Sequence, residues 1–132
     1  MKSIVSFLTA LSIMLITFAS CNASPSEHIT DKASKEFMED VQTQQTEAVL
    51  VDVRTPGEFE AGALDGALNI NVTSSDFMDK FQEAVPNKDQ TIYLYCKSGN
   101  RSKKAAIQLE KAGYTNLINA TSGYQALSKY EN

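Results

Sequence analysis

Histidine and cysteine are scarce in this sequence of 132 residues, which has one histidine and two cysteines. The histidine, His28, lies in a short polar segment, where we expect it to be solvated rather than to act as a base or a metal ligand. Structural zinc sites draw on clusters of cysteine and histidine that this chain does not have. Cys21 and Cys96 lie in different contexts, so we expect no disulfide between them. We therefore expect no structural zinc site. The chain is also expected to need no other metal and no cofactor.

Positive charge is also limited, with 12 Lys and Arg against 16 Asp and Glu and a net charge of −4. This balance argues against nucleic-acid binding as a general function. The basic residues do cluster in one place, at Lys97, Arg101, Lys103 and Lys104. The composition, 42% hydrophobic and 21% charged, is typical of one globular domain that can bury a core without disulfides. We expect a monomer.

Only the amino terminus carries a long apolar run. Residues 1–20 combine the positive Lys2 with an apolar stretch and then small residues, which predicts a signal peptide. The run is too short for a comfortable membrane span. Residues 21–28 follow as a small, polar tether, and residues 29–132 are expected to form the folded domain.

The end of the leader resembles a bacterial lipoprotein processing site, at which Cys21 would be lipidated and become the new N-terminus. Phe18 stands where leucine is usual. The alternative is ordinary secretion with cleavage after Ala23. The first interpretation predicts an exported protein of the bacterial cell envelope, attached to membrane only through a lipid on Cys21. The second predicts a soluble periplasmic or secreted protein.

The most informative stretch runs from residue 91 to residue 113. The segment Thr91–Tyr95 is β-branched, aromatic and apolar, which predicts a short buried strand. Cys96 follows at its end, and residues 97–100 form a small polar loop. From Arg101 the apolar spacing predicts a helix that ends at Gly113.

A cysteine between a strand end and a helix start has a defined chemistry. Free N–H groups at such a helix start stabilise a thiolate and an anion held against it. Lys97 and Arg101 add positive charge. The pattern therefore predicts a nucleophilic Cys96 with a lowered pKa that attacks or carries something anionic. The alternative is a buried structural cysteine, although apolar burial does not call for Gly99 and two cations.

Strands and helices alternate through the rest of the chain, which predicts an α/β fold with a mainly parallel central sheet and helices on both faces. Thr30 or Asp31 is the expected cap of the first helix, and Thr73 or Ser74 of the third. The further predicted strands lie near Ile29 and at residues 48–53, 67–72 and 116–120, and the further helices at residues 32–42, 75–84 and 124–130. Residues 55–58 are expected to start another short helix, with Pro56 in its first turn.

Asp52 and Arg54 lie at the end of the second predicted strand, the edge at which open α/β sheets place their sites. They could belong to the reacting groups, or they could form an ion pair that orients a loop without reacting. We favour the second interpretation, because such networks commonly position a site.

Two motifs resemble the family of single-domain rhodaneses. The loop reads Cys-Lys-Ser-Gly-Asn-Arg-Ser, residues 96–102, where the family usually has Cys-x-x-Gly-x-Arg-Ser. Residues 52–59, Asp-Val-Arg-Thr-Pro-Gly-Glu-Phe, are similar to the family segment Asp-Val-Arg-x-x-x-Glu-Phe, and a weaker match follows near Gly113 and Gly123. Four positions depart from the family pattern, which leaves the substrate open: Ala63, Asp65, Ser122 and Leu127.

The resemblance implies a sulfurtransferase of the thiosulfate type. Cys96 would take the outer sulfur of a small anionic donor as a persulfide and pass it to cyanide or a thiol. The residues after Cys96 would bind the donor: Lys97, Ser98, Gly99, Asn100, Arg101 and Ser102. Asp52 and Arg54 would support these residues without contacting the donor.

Two other functions remain open from the sequence. The same chemistry at Cys96 would serve a persulfide carrier, or a binding module that docks a thioredoxin-like redox partner. A cysteine phosphatase or arsenate reductase is less favoured, because the loop is one residue shorter than in cysteine phosphatases and no Asp general acid is evident.

Overall fold

A computed structural model describes residues 26–44 and 46–131. The predicted signal peptide, Cys21 and most of the predicted tether lie outside these residues. Within the described part, no helix is both long enough and apolar enough to cross a lipid bilayer.

The centre of the fold is a five-stranded sheet in which every strand pair is parallel, as the alternation of strands and helices predicted. In chain order the strands are β1 Ile29–Lys32, β2 Ala48–Asp52, β3 Leu68–Asn69, β4 Thr91–Tyr95 and β5 Leu117–Ala120. Their order in the sheet is β1-β5-β4-β2-β3, which places β4 at the centre. The carboxyl ends of β2, β4 and β5 therefore lie side by side at one edge.

Helices cover both faces of the sheet, as predicted. They are α1 Ser34–Thr43, α2 Pro56–Glu60, α3 Phe77–Ala84, α4 Asn100–Lys111 and α5 Tyr124–Leu127, and α5 continues as a 3-10 turn over Ser128–Tyr130. One core layer lies between the sheet and α3 and α4, and the other lies between the sheet and α1 and α5. Alternation along β4 assigns Ile92 and Leu94 to the first layer and Tyr93 and Tyr95 to the second.

Two predicted helix starts are wrong. Helix α1 begins at Ser34 with Ala33 as its cap, because residues up to Lys32 pair with β5 and leave Thr30 and Asp31 inside a strand. Helix α3 begins at Phe77 with Asp76 as its cap, and neither helix has a side-chain cap hydrogen bond. Strand β3 is also shorter than the predicted 67–72, since only Leu68 and Asn69 pair with β2.

Candidate active site

The loop from Cys96 to Asn100 joins the central strand β4 to α4. Cys96 continues the alternation of β4 and faces α4, with its side chain fully buried in that core layer. Gly99 caps α4 with φ 92°, and a β-carbon there would lie 2.5 Å from the carbonyl oxygen of Thr121. Only glycine combines that backbone conformation with that close approach. Helix α4 begins at Asn100, one residue before the predicted start.

Gly113 ends α4 as the sequence predicted. Its φ is 97°, and the N–H groups of Gly113 and Tyr114 donate to the carbonyls of Glu110 and Leu109. This is the Schellman arrangement, which satisfies the last carbonyls of the helix. The face of α4 toward the sheet is small and fully buried, consisting of Ser102, Ala105, Ala106 and Leu109.

Polar donors surround the buried sulfur of Cys96. The Gly99 N–H donates to Sγ over 3.1 Å, and the Ser102 hydroxyl lies 3.5 Å from Sγ. Burial alone would raise the pKa of the Cys96 thiol, but hydrogen bonds from Ser102 and from the backbone N–H groups of Ser98 and Gly99 together lower it. Cys96 is thus as buried as a structural cysteine, yet its surroundings stabilise the thiolate.

Ser102 has two acceptors for one hydroxyl proton. Its Oγ lies 3.1 Å from the carbonyl oxygen of Gly99 as well as 3.5 Å from the sulfur of Cys96. A hydroxyl carries a single donor hydrogen, so the proton can serve only one acceptor at a time. The charged thiolate is the stronger acceptor of the two.

The outer residues of the loop are open to solvent. Lys97, Ser98 and Asn100 are exposed, whereas Gly99 and Ser102 are buried. Lys97 also lines a cavity of about 200 Å³ beside the loop, together with Arg54, Glu58, Ala61, Gly62, Tyr124 and Gln125.

Arg101 is bound by a residue that the sequence analysis did not assign to the site. Both of its terminal nitrogens donate to the carboxylate of Glu58 over 2.8 Å. Glu58 also accepts from the N–H and hydroxyl of Thr55, which caps α2 in a capping box. The start of α2 at Pro56 was predicted, but nothing in the sequence links Glu58 to a helix 43 residues away.

Asp52 and Arg54 form a buried ion pair. Nε of Arg54 lies 3.0 Å from each carboxylate oxygen and Nη2 lies 2.6 Å from Oδ2, while the side chain of Asp52 is fully buried. Nη2 also donates to the carbonyl of Gly62 over 2.7 Å, and the guanidinium stacks 4.4 Å from the ring centre of Tyr124. The pair thus connects the end of β2 to the loop after α2, and it makes no hydrogen bond to Cys96.

The turn between β5 and α5 supports the outside of the cysteine loop, which the sequence analysis also missed. The N–H of Tyr124 donates to the carbonyl of Cys96 over 2.9 Å, and a β-carbon on Gly123 would overlap the carbonyl oxygen of Lys97. The only sequence signal was the weak match at Gly123.

In residues 26–44 and 46–131, no group of three His, Cys, Asp or Glu side chains could hold a metal ion.

Comparisons with known proteins show which family the whole domain resembles. Residues 33–130 match the model of the rhodanese-like domain. The chain is 34% identical to the Escherichia coli thiosulfate sulfurtransferase PspE, covering 53% of this chain and 65% of that protein. It is 32% identical to a putative mitochondrial thiosulfate sulfurtransferase of Schizosaccharomyces pombe, covering 62% of this chain and 64% of that protein. The matches thus span just under two thirds of these relatives.

A tRNA uridine(34) hydroxylase of Bdellovibrio bacteriovorus is 27% identical over 83% of this chain, which is 31% of that protein. Among solved structures, a rhodanese with anions from E. coli superposes with a TM-score of 0.53 at 30% identity, covering 60% of this chain and 89% of that one. A rhodanese-like domain protein from Staphylococcus aureus gives 0.59 at 25% identity, covering 74% and 90%. With 98 of its 132 residues matching the family model, the chain belongs to the rhodanese-like domain family.

Proposed function

We propose that this protein is a sulfurtransferase of the thiosulfate type, with Cys96 as its nucleophile. One observation carries the proposal: the sulfur of Cys96 accepts hydrogen bonds from the Gly99 N–H and the Ser102 hydroxyl at the start of α4. These donors favour the thiolate, which is the reactive form of cysteine. The names of two relatives support it, since one is a thiosulfate sulfurtransferase and the other is named a putative thiosulfate sulfurtransferase.

The reaction divides into two transfers of one sulfur atom. In the first, the Cys96 thiolate attacks the outer sulfur of thiosulfate, the S–S bond of the donor breaks, and sulfite leaves with the electron pair. In the second, cyanide or a thiolate attacks the outer sulfur of the persulfide and restores the Cys96 thiolate. A covalent intermediate of this kind replaces one difficult step with two easier ones.

The loop groups have separate roles in this scheme. The N–H groups at the start of α4 stabilise negative charge on the sulfur that Cys96 carries. Exposed Lys97, with Ser98 and Asn100, meets the anionic donor at the surface of the loop. Asp52 and Arg54 act as positioning residues, because their hydrogen bonds join β2 to Gly62 and none goes to Cys96.

A persulfide carrier is the second candidate. A tRNA uridine(34) hydroxylase contains a matching segment that makes up 31% of its length, so such a domain also occurs within a larger protein of another named activity. Chemistry at Cys96 would be the same in a carrier. Multiple turnovers with thiosulfate and cyanide would distinguish the enzyme, whereas a carrier would hold its sulfur until a partner protein, such as a thioredoxin-like one, removed it.

The mass of the Cys96 peptide after incubation with thiosulfate tests the proposal. We expect a gain of one sulfur atom that cyanide removes, and a Cys96→Ser variant should lose both the gain and the turnover. Hydrolysis of phosphate esters with no sulfur on Cys96 would instead favour a cysteine phosphatase.

We also propose that the domain is exported and held at the cell envelope by a lipid on Cys21. The apolar leader and the cysteine that follows it support this location. The wild type should then fractionate with membranes, and Cys21→Ser should release or misprocess it. A wholly soluble wild type with its N-terminus at Ser24 would contradict the lipid anchor.

A further inference from the structure

The two cations nearest Cys96 in sequence, Lys97 in the loop and Arg101 in the first turn of α4, differ in what they contact. Both terminal nitrogens of Arg101 donate hydrogen bonds to the carboxylate of Glu58, each over 2.8 Å, which makes a bidentate ion pair. Lys97 is exposed, and its side chain forms no hydrogen bond or ion pair within the described part of the chain. The charge of one cation is therefore matched by a carboxylate, and the charge of the other is not.

The carboxylate of Glu58 accepts hydrogen bonds from two residues, Thr55 and Arg101. It accepts from the N–H of Thr55 over 3.1 Å and from the Thr55 hydroxyl over 2.9 Å, in addition to Arg101. Hydrogen bonds from Arg101, with those from Thr55, lower the pKa of Glu58 to about 2. The carboxylate is thus ionised at neutral pH.

An ion pair of this geometry presents little net charge to its surroundings. Beyond a few ångströms the charges of Glu58 and Arg101 nearly cancel, so a donor approaching Cys96 meets the unmatched charge of Lys97 and the helix-start N–H groups. A donor with two negative charges gains less from such a site than it would from one with two free cations.

We propose that Glu58 determines which donor charge the site accepts, by neutralising Arg101 and thereby disfavouring dianionic donors relative to donors with one charge. The inference rests on the proposed sulfur transfer for its substrates. The chemical step is the same for both donor classes: the Cys96 thiolate takes the outer sulfur, the donor S–S bond breaks, and the sulfite or sulfinate leaves with the electron pair.

Steady-state kinetics with two donors test the proposal. Thiosulfate carries two negative charges and benzenethiosulfonate carries one, and each gives up one sulfur. Glu58→Gln should raise the thiosulfate to benzenethiosulfonate ratio of kcat/KM by roughly three- to tenfold, because a donor with an extra charge gains more when a carboxylate nearby is removed. Lys97→Gln should lower the same ratio.

Glu60→Gln is the matched control. Glu60 lies on the same helix, is exposed, and loses the same charge. Glutamine also completes capping boxes at the position of Glu58, so the start of α2 is retained in Glu58→Gln. The ratio should stay at the wild-type value in Glu60→Gln. A fall of kcat/KM by the same factor for both donors in Glu58→Gln would mean that Glu58 only positions Arg101, and an equal rise in Glu60→Gln would mean that the effect is long-range. Either result overturns the proposal.

Alkylation of Cys96 provides a readout that does not depend on sulfur transfer. Iodoacetate is an anion and iodoacetamide is neutral, and both report on the same thiolate, followed at Cys96 by peptide mass. Glu58→Gln should raise the iodoacetate to iodoacetamide rate ratio, and Glu60→Gln should not. If neither donor leaves sulfur on Cys96, the proposed function fails while this ratio still decides the charge effect. An unchanged or lower ratio in Glu58→Gln overturns the charge effect.

Discussion

Gly123 packs directly against Lys97, so closely that a β-carbon on residue 123 would overlap the carbonyl oxygen of Lys97. The neighbouring N–H of Tyr124 donates to the carbonyl of Cys96 over 2.9 Å. The turn between β5 and α5 therefore fixes the outer side of the cysteine loop, while α4 fixes its inner side.

Gly123→Ala should displace this loop. The φ of Gly123 is −101°, which alanine adopts readily, so the obstacle is the overlap alone. Overpacking of this kind costs roughly 1–3 kcal/mol of unfolding free energy. We expect a lower urea midpoint together with slower reaction of Cys96. Gly57→Ala is the control, since a β-carbon at Gly57 meets no atom within 4 Å. Equal unfolding midpoints for the two variants would contradict the contact.

Ser102→Ala should raise the pKa of Cys96. The Ser102 hydroxyl stabilises the thiolate. Without it, the burial of Cys96 is opposed by fewer hydrogen bonds to the sulfur, so the neutral thiol is favoured. The acid limb of the pH–rate profile for Cys96 alkylation should therefore move to higher pH. Ser128→Ala, which removes a hydroxyl from the 3-10 turn that follows α5, should leave the profile unchanged. If the pH–rate profile does not move in Ser102→Ala, the Ser102 hydroxyl donates to the carbonyl of Gly99 and not to the sulfur of Cys96.

The strand-loop-helix unit at Cys96 could be predicted because its signals are local. Thr91–Tyr95 has the composition of a buried strand and Gly113 has the residue type that ends a helix, and both lie where expected. The lowered pKa of Cys96 likewise follows from its place before a helix start. Such features depend on neighbours in sequence, so the sequence alone reveals them.

Partners distant in sequence could not be predicted. Glu58 meets Arg101 only because α2 and α4 begin at the same edge of the sheet, and Gly123 meets Lys97 only because β5 lies beside β4. The wrong cap of α1 has the same origin, since pairing with β5 extends β1 through Thr30 and Asp31. Local propensity is overridden wherever tertiary pairing determines the start of an element.

Asp52→Asn should destabilise the fold strongly. The variant leaves the guanidinium of Arg54, which is 5% exposed, without its carboxylate. Breaking a buried ion pair by removing one partner costs roughly 3–5 kcal/mol. Urea unfolding should report this loss, whereas Asp79→Asn, at an exposed position in the first turn of α3, should change the free energy of unfolding by less than about 1 kcal/mol. A loss no larger than that of Asp79→Asn would contradict the structural role of the pair.

The pair of Glu58 and Arg101 should make stability depend on acid pH. Arg101 holds the pKa of Glu58 at about 2, below the ordinary value of 4.5. Between pH 2 and pH 4.5 the folded state therefore binds fewer protons than the unfolded state. The contribution of Glu58 to the free energy of unfolding is complete above pH 4.5 and is lost as the pH falls toward 2. The free energies of unfolding of the wild type and Glu58→Gln, measured with urea, should differ by a constant amount near neutral pH. That difference in free energy should become smaller below pH 4.5. Arg101→Gln should show the same narrowing, because it removes the other half of the pair. A difference that stays constant down to pH 3 would mean that the ion pair does not hold Glu58 in its charged form.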